Sequence, residues 1–168
     1  MKNPIDPAAS ALSAVACFSA GISQLQQAVD NPQMRTVITG AADLIFAMKG
    51  RLILSGVGKS GHVARKLAAT FASTGTPAYF VHAAEASHGD LGMVMRDDLV
   101  IALSNSGESE ELSAILPVIK RQGVMLVAIT GNSQSTLAQY ASCVLDSSVE
   151  KEACPMNLAP TASTTAQM

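Results

Sequence analysis

The sequence predicts an α/β domain, a three-layer sandwich in which helices cover both faces of a five-stranded parallel sheet. From residue 51 onward, short apolar runs alternate with segments of helical periodicity, as in parallel strands joined by crossover helices. The runs are residues 52–54, 78–81, 99–103, 125–129 and 143–145, and the helical segments are residues 63–74, 112–122 and 135–141. Hydrophobic residues make up 48% of the chain and charged residues only 14%, which indicates that both sheet faces are covered or that surface is buried between subunits.

Two helices are expected before the first strand. Apolar residues recur every three or four positions in two stripes, which are Leu12, Val15, Phe18, Ile22, Leu25 and Val29, then Met34, Val37, Ala41, Leu44, Ile45 and Met48. The first stripe indicates an amphipathic helix and not a signal peptide, and no apolar run is long enough to span a bilayer, so we expect no membrane partner. We expect residues 1–50 to pack on the core as a helical segment, and residues 51–168 to form the ligand-binding domain.

Composition and charge exclude several function classes. The formal charge is −2 with no block of like charges, which argues against a nucleic-acid partner. The three cysteines (Cys17, Cys143 and Cys154) are scattered and have no CxxC spacing, which is typical of a reduced cytoplasmic protein without a structural zinc site. The sequence therefore predicts no metal centre.

The loop after the first predicted strand has the composition of an anion site. Residues 55–61 (SGVGKSG) satisfy the dinucleotide pattern GxGxxG, but the second strand does not end in the carboxylate that would bind a ribose. The same loop contains the Gly-Lys-Ser of a Walker A motif, but Ile53 occupies the position of that motif's first glycine. What remains is a glycine turn that presents backbone N–H groups at a helix N-terminus, with Lys59 and Ser60 beside it. These residues alone leave two interpretations equally open, an anion site or a tight turn with a solvated lysine.

The loop after the third predicted strand favours a phosphate ligand. Residues 104–109 (SNSGES) place Ser104, Asn105, Ser106 and Ser109 at the carboxyl end of a strand, where hydroxyls and free N–H groups can surround a phosphate. A helix N-cap needs only one such residue, so the phosphate interpretation is the stronger one. Residues 159–165 (APTASTT) add a third hydroxyl-rich segment, which taken alone is more typical of a flexible tail.

These three segments, in this order and spacing, resemble the sugar isomerase (SIS) domain family. Residues 56–75, 85–93 and 151–165 are also similar to the arabinose-5-phosphate isomerases of 3-deoxy-octulosonate and lipopolysaccharide biosynthesis. The resemblance implies a flavodoxin-like (Rossmann-like) sheet, no organic cofactor, a cytoplasmic homotetramer, and interconversion of D-ribulose 5-phosphate and D-arabinose 5-phosphate through an enediol. It also implies a phosphate pocket that contains Gly58, Ser60, Ser104, Asn105, Ser106, Ser109, Ser163 and Thr164.

Aldose–ketose exchange moves a proton between C1 and C2, which requires a base above the carbon and an acid or dipole at the oxygen. The loops and the resemblance together give four candidates, Lys59, His88, Glu111 and Glu152. We expect Glu152 to be the base, with a pKa raised by desolvation, although local sequence is equally compatible with a surface residue. Glu111 is expected either to share or support the role of the base, or to be an ordinary residue in the first turn of a helix. Lys59 is expected to neutralise the phosphate or to polarise the carbonyl. His88 is expected to contact sugar hydroxyls and not a metal.

Two alternative functions stay open at this point. The first is a sensor without catalysis, because SIS domains also serve as sugar-phosphate sensors in regulators. The second is an isomerase of another sugar phosphate, because loops that bind the phosphate do not distinguish the stereochemistry of the sugar. Similar isomerases continue past the SIS core with a long helix, a His-Pro-Gly-Gly segment and often a pair of CBS modules, whereas this sequence ends at Met168. The resemblance places ring opening of arabinose 5-phosphate in that histidine segment, so we expect the 168-residue chain to isomerise poorly.

Overall fold

The computed structural model describes residues 6–168 and contains the predicted five-stranded parallel sheet. The strands are β1 (Leu52–Gly56), β2 (Ala78–His82), β3 (Leu99–Leu103), β4 (Met125–Thr130) and β5 (Cys143–Asp146). They lie in the order β2-β1-β3-β4-β5, and every neighbouring pair is parallel. All five carboxyl ends therefore meet at one edge, and the strand order reverses between β1 and β3, which is where open α/β sheets hold their ligands.

The helices cover the sheet and precede it, as predicted. They are α1 (Pro7–Asp30), α2 (Pro32–Ala47), α3 (Gly58–Ser73), α4 (Ala83–Ser87), α5 (Glu110–Gln122), α6 (Thr136–Tyr140) and α7 (Ala162–Gln167), with a 3-10 turn over Asp90–Met93. Both N-terminal helices start at a side-chain cap followed by proline, since Asp6 accepts the N–H groups of Ala8 and Ala9, and Asn31 accepts that of Gln33. These caps explain why the chain turns sharply at Asn31 and forms two helices instead of one.

Two apolar clusters lie on opposite faces of the sheet, because successive strand residues point to opposite sides. On one face, Ile53, Val100 and Ala102 pack with the buried side of α5, which consists of Leu112, Ile115, Leu116 and Ile119. On the other face, Leu52, Leu54 and Leu103 pack with residues of α3 and α2 that include Ala64, Ala68 and Ala41. Each fully buried leucine or isoleucine contributes about 1.5–3 kcal/mol, so the two clusters fix the three-layer sandwich. The predicted α/β class is confirmed.

The apolar stripe predicted for α1 is not the side that packs on the rest of the chain. Leu12 and Val15 are 72% and 65% exposed, whereas α1 is buried at Cys17 and Gly21. At Gly21 an added Cβ would lie 3.6 Å from Val149 and 3.9 Å from Ala162, so the small residue lets α1 approach the segment before α7. The exposed members of the stripe therefore do not pack on this chain. The division of the chain at residue 50 stays a prediction, and residues 1–5 lie outside the described part.

Helix α1 also meets the length and composition of a membrane-spanning helix. Within residues 6–168 it is the one candidate, with a mean hydropathy of 1.4 over an 18-residue window of which 11% is buried. The expectation that no run is long enough to span a bilayer is therefore wrong on length. A single apolar helix close to the N-terminus is weak support for a membrane span, because core helices and signal sequences have the same composition.

A buried carboxylate fastens the opposite, amino-terminal edge of the sheet. Asp98 accepts hydrogen bonds from the backbone N–H of Arg51 (2.7 Å) and of Met95 (2.8 Å), and it pairs with the Arg51 guanidinium at 3.1 Å. Burial alone would raise the pKa of Asp98, but the hydrogen bonds from Met95 and Arg51 outweigh burial and lower it. This cluster is a structural one, since it lies away from the edge where the strand order reverses.

Candidate functional site

The turn from β1 into α3 brings backbone amides to the carboxyl edge of the sheet. Gly56 and Gly61 allow this approach, because a Cβ on Gly61 would lie 2.9 Å from the Gly56 carbonyl oxygen, and one on Gly56 would lie 3.0 Å from that of Leu103. Gly58 has φ +56, a conformation that favours glycine. In the described part of the chain no side chain caps the start of α3, so its first-turn N–H groups are free for an anion. Exposed Lys59 and half-buried Ser60 lie in this turn.

The segment from Ser104 to Ser109, called the serine loop below, folds back on itself through its own hydroxyls. Ser104 Oγ accepts the N–H of Gly107 at 3.0 Å, and Ser106 Oγ accepts that of Glu108 at 3.2 Å. Because both oxygens accept from the backbone, the two hydroxyl protons remain available for a ligand. Gly107 has φ +69, and a Cβ there would collide with the Ser135 side chain. The loop is thus a glycine-dependent turn that carries two hydroxyl donors.

Asn105 and Ser109 complete this loop. Exposed Asn105 packs against Gly131, where an added Cβ would lie 2.6 Å from the Asn105 amide oxygen. Ser109 precedes α5, and its Oγ is a buried atom without a hydrogen-bond partner among residues 6–168. A buried hydroxyl without a partner is costly, so a group that accepts its proton would relieve the cost. The serine loop and the β1–α3 turn follow adjacent strands, which is the placement that the sequence predicts for a phosphate site.

The third hydroxyl-rich segment holds its serine inside the protein. Ser163 is 0% exposed, and no group in the described chain hydrogen-bonds its Oγ. The hydroxyl of Thr164 donates to the Thr161 carbonyl oxygen at 2.8 Å, so its proton is already used. This segment forms the first turn of α7, and Ser163 points into the protein. The place of Ser163 and Thr164 in the phosphate pocket stays a prediction.

Glu152 organises that same turn. Its Oε2 accepts hydrogen bonds from the Thr161 N–H (2.8 Å), the Thr161 hydroxyl (2.9 Å) and the Ser163 N–H (3.2 Å). Burial would raise the pKa of Glu152, but the hydrogen bonds from Ser163 and Thr161 outweigh it and lower the pKa. The expected raised pKa is thus wrong. All three bonds go to Oε2, and no hydrogen bond within residues 6–168 reaches Oε1. A cavity of about 200 Å³ lies beside this segment and is lined in part by Glu152, Cys17 and Lys151.

The other predicted catalytic residues lie on the same edge of the sheet but on different loops. Lys59 follows β1, His88 lies at the end of α4 after β2, and half-buried Glu111 lies in the first turn of α5 after β3. In residues 6–168 no hydrogen bond or ion pair joins any of these three to another or to Glu152. In that same range no cluster of three His, Cys, Asp or Glu side chains is placed to hold a metal ion.

Two residues of the site were missed in the sequence. Thr161 ties down the Glu152 carboxylate, and Glu108 accepts two hydrogen bonds from Thr136. Glu108 was visible as the one acid within SNSGES, an unusual residue beside a phosphate. Nothing in the local sequence links Thr161 to Glu152, because the contact depends on how residues 153–160 loop back.

Comparison with known proteins identifies the family. The SIS domain profile matches residues 45–168. The chain belongs to the SIS domain family. Among its relatives, the arabinose 5-phosphate isomerase KdsD of Pseudomonas aeruginosa is 60% identical over 125 residues, which are 74% of this chain and 38% of that protein. The sequence-based identification of the family is confirmed.

Solved structures extend the comparison to the fold. The E. coli CFT073 protein c3406 in complex with arabinose 5-phosphate has a TM-score of 0.84 and 39% identity, covering 96% of this chain and 85% of that one. A putative sugar-phosphate isomerase of Listeria monocytogenes has a TM-score of 0.85 and 28% identity, covering 97% and 85%. The SIS chain spans about 40% of the length of the curated relatives that it matches.

Proposed function

We propose that this SIS domain belongs to an aldose–ketose isomerase that interconverts D-ribulose 5-phosphate and D-arabinose 5-phosphate. The observation that carries the proposal is the pairing of two phosphate-type loops, the uncapped β1–α3 turn and the serine loop, at the point where the strand order reverses. The substrate is taken from the relatives, because the Pseudomonas aeruginosa isomerase is 60% identical and the E. coli CFT073 structure holds arabinose 5-phosphate. No organic cofactor and no metal is required by this chemistry.

In the proposed mechanism, the phosphate binds between the α3 N-terminus and the hydroxyls of Ser60, Ser104 and Ser106. A sugar anchored there extends along the carboxyl edge toward the loops that carry the acids and bases. Glu152, with Oε2 held by Thr161, removes the proton from C2 of the aldose through Oε1 and returns it to C1 of the enediol, and the reverse reaction takes it from C1 of the ketose and returns it to C2. Lys59 stabilises the developing charge on the enediol oxygen, since a cation there favours the transition state over the neutral carbonyl.

The remaining candidates have supporting roles in this proposal. Glu111, in the first turn of α5, is close in sequence to the serine loop and is the alternative base. His88 is exposed at the end of α4 and is suited to contact sugar hydroxyls. Gly58 and Asn105 shape the two loops, whereas Ser109 offers its unpartnered hydroxyl to the phosphate.

The test is to incubate a full-length version of the protein, beside the 168-residue chain, with D-ribulose 5-phosphate and to identify the product by NMR. A full-length KdsD enzyme is the positive control. We expect D-arabinose 5-phosphate as the product. A different pentose or hexose phosphate formed from its own ketose would indicate another isomerase. Tight binding of D-ribulose 5-phosphate, with no turnover and no exchange of its C1 protons with deuterated water, would indicate a sensor.

We also propose that the protein is a cytoplasmic homo-oligomer, with a tetramer implied by the family resemblance. Its support is the exposed apolar surface of the N-terminal helices, where Leu12, Val15 and Ile22 of α1 and Phe46 of α2 lie open to solvent, Phe46 at 89% exposure. Large exposed apolar side chains in one region are typical of a surface that a partner covers. The three cysteines are free thiols, which supports a reducing compartment.

Introducing a charge into this surface is expected to dissociate the oligomer. Val15→Asp places an unpaired carboxylate in an interface that would otherwise exclude water, and that burial is strongly unfavourable. The control is Ala20→Asp, which adds the same charge at an exposed position about 140° around the α1 axis from Val15. Light scattering coupled to size exclusion measures the mass of each variant. The proposal of an oligomer through this face fails if Val15→Asp keeps the mass of the unmodified chain.

A further inference from the structure

One acidic side chain lies within the serine loop and points away from it. Glu108 Oε1 accepts the backbone N–H of Thr136 at 2.7 Å, and its Oε2 accepts the Thr136 hydroxyl at 2.7 Å. Thr136 is the first residue of α6, on the segment that follows the neighbouring strand β4. Within residues 6–168 Glu108 pairs with no cation. Both of its oxygens are therefore committed to a single residue outside the loop.

Backbone bonds fasten the same two segments together on either side of this contact. The Leu137 N–H donates to the Gly107 carbonyl oxygen at 3.1 Å, and the Gly131 N–H donates to that of Asn105 at 3.0 Å. The Thr130 hydroxyl lies 3.4 Å from the same Asn105 oxygen. These three bonds hold the serine loop against residues 130–137, and the Glu108 contact is a fourth, the only one made by a side-chain carboxylate.

A negative charge in a loop that binds a dianion calls for an explanation. Coulomb repulsion from Glu108 opposes phosphate binding, so its charge alone makes the site worse. Its geometry compensates for that effect, because a bidentate contact fixes the loop in one conformation before the ligand arrives. Hydrogen bonds from the Thr136 hydroxyl and then from its backbone N–H lower the pKa of Glu108, which keeps it the acceptor that this contact needs.

We propose that Glu108 is a positioning residue for phosphate binding, which holds the serine loop against α6 so that Ser104 and Ser106 face the ligand. This role deepens the proposed function and rests on it. The competing explanation is that Glu108 only caps α6 and stabilises the fold. The two explanations differ at temperatures well below unfolding, where every variant is folded. A positioning role predicts that loss of Glu108 weakens phosphate binding there, whereas a purely structural cap predicts unchanged affinity.

Isothermal titration calorimetry of the 168-residue chain with D-arabinose 5-phosphate, and separately with inorganic phosphate, distinguishes them. Glu108→Ala should weaken both affinities about tenfold, the effect of losing one coupled polar interaction. Glu108→Gln keeps one acceptor and one polar group in place and should restore most of the affinity. The matched control is Glu110→Ala, which removes a carboxylate two residues away that is exposed at the start of α5, and which should leave affinity unchanged or slightly higher.

Thr136→Val tests whether the effect passes through the observed contact. Alone, it should weaken phosphate binding less than Glu108→Ala does, because the Thr136 N–H still donates to Glu108. In the Glu108→Ala background it should have no further effect. Additive losses would show that the two residues act independently and would overturn the proposal.

The outcomes also separate this inference from the proposed function. Affinity that is unchanged or increased in Glu108→Ala, with normal binding by the unmodified chain, overturns the positioning role and leaves the isomerase proposal intact. Binding of inorganic phosphate but not of arabinose 5-phosphate counts against the proposed substrate. The titrations with inorganic phosphate would then still test the positioning role of Glu108. Failure of the unmodified chain to bind either ligand would reject both.

Discussion

Replacing Ser104 and Ser106 together by alanine is expected to weaken sugar-phosphate binding by about a hundredfold or more. Each hydroxyl accepts a backbone N–H within the loop and has its proton free for the phosphate. A hydrogen bond to a charged group contributes about 1.5–3 kcal/mol, and two of them multiply in the binding constant. Calorimetry with D-arabinose 5-phosphate measures the change directly.

The single variants separate binding from folding. Ser106 is exposed, so Ser106→Ala should lower affinity with little effect on the unfolding midpoint. Ser104 is buried, so Ser104→Ala also leaves the Gly107 N–H unpaired and should lower the midpoint as well. The control is Ser142→Ala, which removes an exposed hydroxyl at the opposite edge of the sheet, just before β5. Unchanged affinity in the Ser104 and Ser106 double variant would remove the phosphate site from the serine loop.

The sheet could be predicted from the sequence because each strand is a short apolar run with both faces buried. The predicted run 99–103 coincides with β3, and residues 125–129 lie one residue short of β4. Helix α3 begins five residues before the predicted start at residue 63, because residues 58–62 of the glycine turn already form its first turn. Glycine lowers helix propensity locally, but close packing of Gly56 against Gly61 decides the conformation here.

The serine loop could be placed for a different reason. Its polar residues stand directly after a buried strand, and the topology of a parallel sheet brings such ends to one edge. What they contact there could not be predicted, since Glu108 and Thr136 are 28 residues apart and meet only because β3 and β4 are neighbours. Contacts that form only because two strands are neighbours in the sheet leave no periodic pattern in the sequence.

In the third hydroxyl-rich segment, residues 159–165, the orientation of each hydroxyl could not be predicted. A hydroxyl-rich run predicts donors, but which of them point outward depends on where α7 begins. With Thr161 at the helix cap, Ser163 points inward and is fully buried. The exposure of Leu12 and Val15 could not be predicted for a different reason, because an apolar stripe does not indicate whether the same chain packs on it.

In a full-length version of the enzyme, Glu152→Gln is expected to reduce the rate of isomerisation about a hundredfold or more, the usual contribution of a positioned base. The substitution fits the observed geometry closely. The new amide oxygen can take the place of Oε2 and accept from Thr161 and Ser163, while the amide nitrogen replaces the free Oε1, the atom proposed to remove the proton. Substrate affinity and the unfolding midpoint should therefore change little. Glu152→Ala removes both oxygens, so it should lower the midpoint in addition.

Exchange of the C2 proton of D-arabinose 5-phosphate with deuterated water, followed by NMR, is the most direct measurement of the base. The lowered pKa of Glu152 makes it a weaker base than the sequence suggests, but it keeps the carboxylate ionised at neutral pH, as proton removal requires. The comparison variant is Glu111→Gln, which replaces the carboxylate of the other candidate base by an amide in the same way. Exchange that survives in Glu152→Gln and vanishes in Glu111→Gln would transfer the role of base to Glu111. Exchange that survives in both would exclude both carboxylates, and the role of Glu152 would then be to hold Thr161 and the first turn of α7 in place.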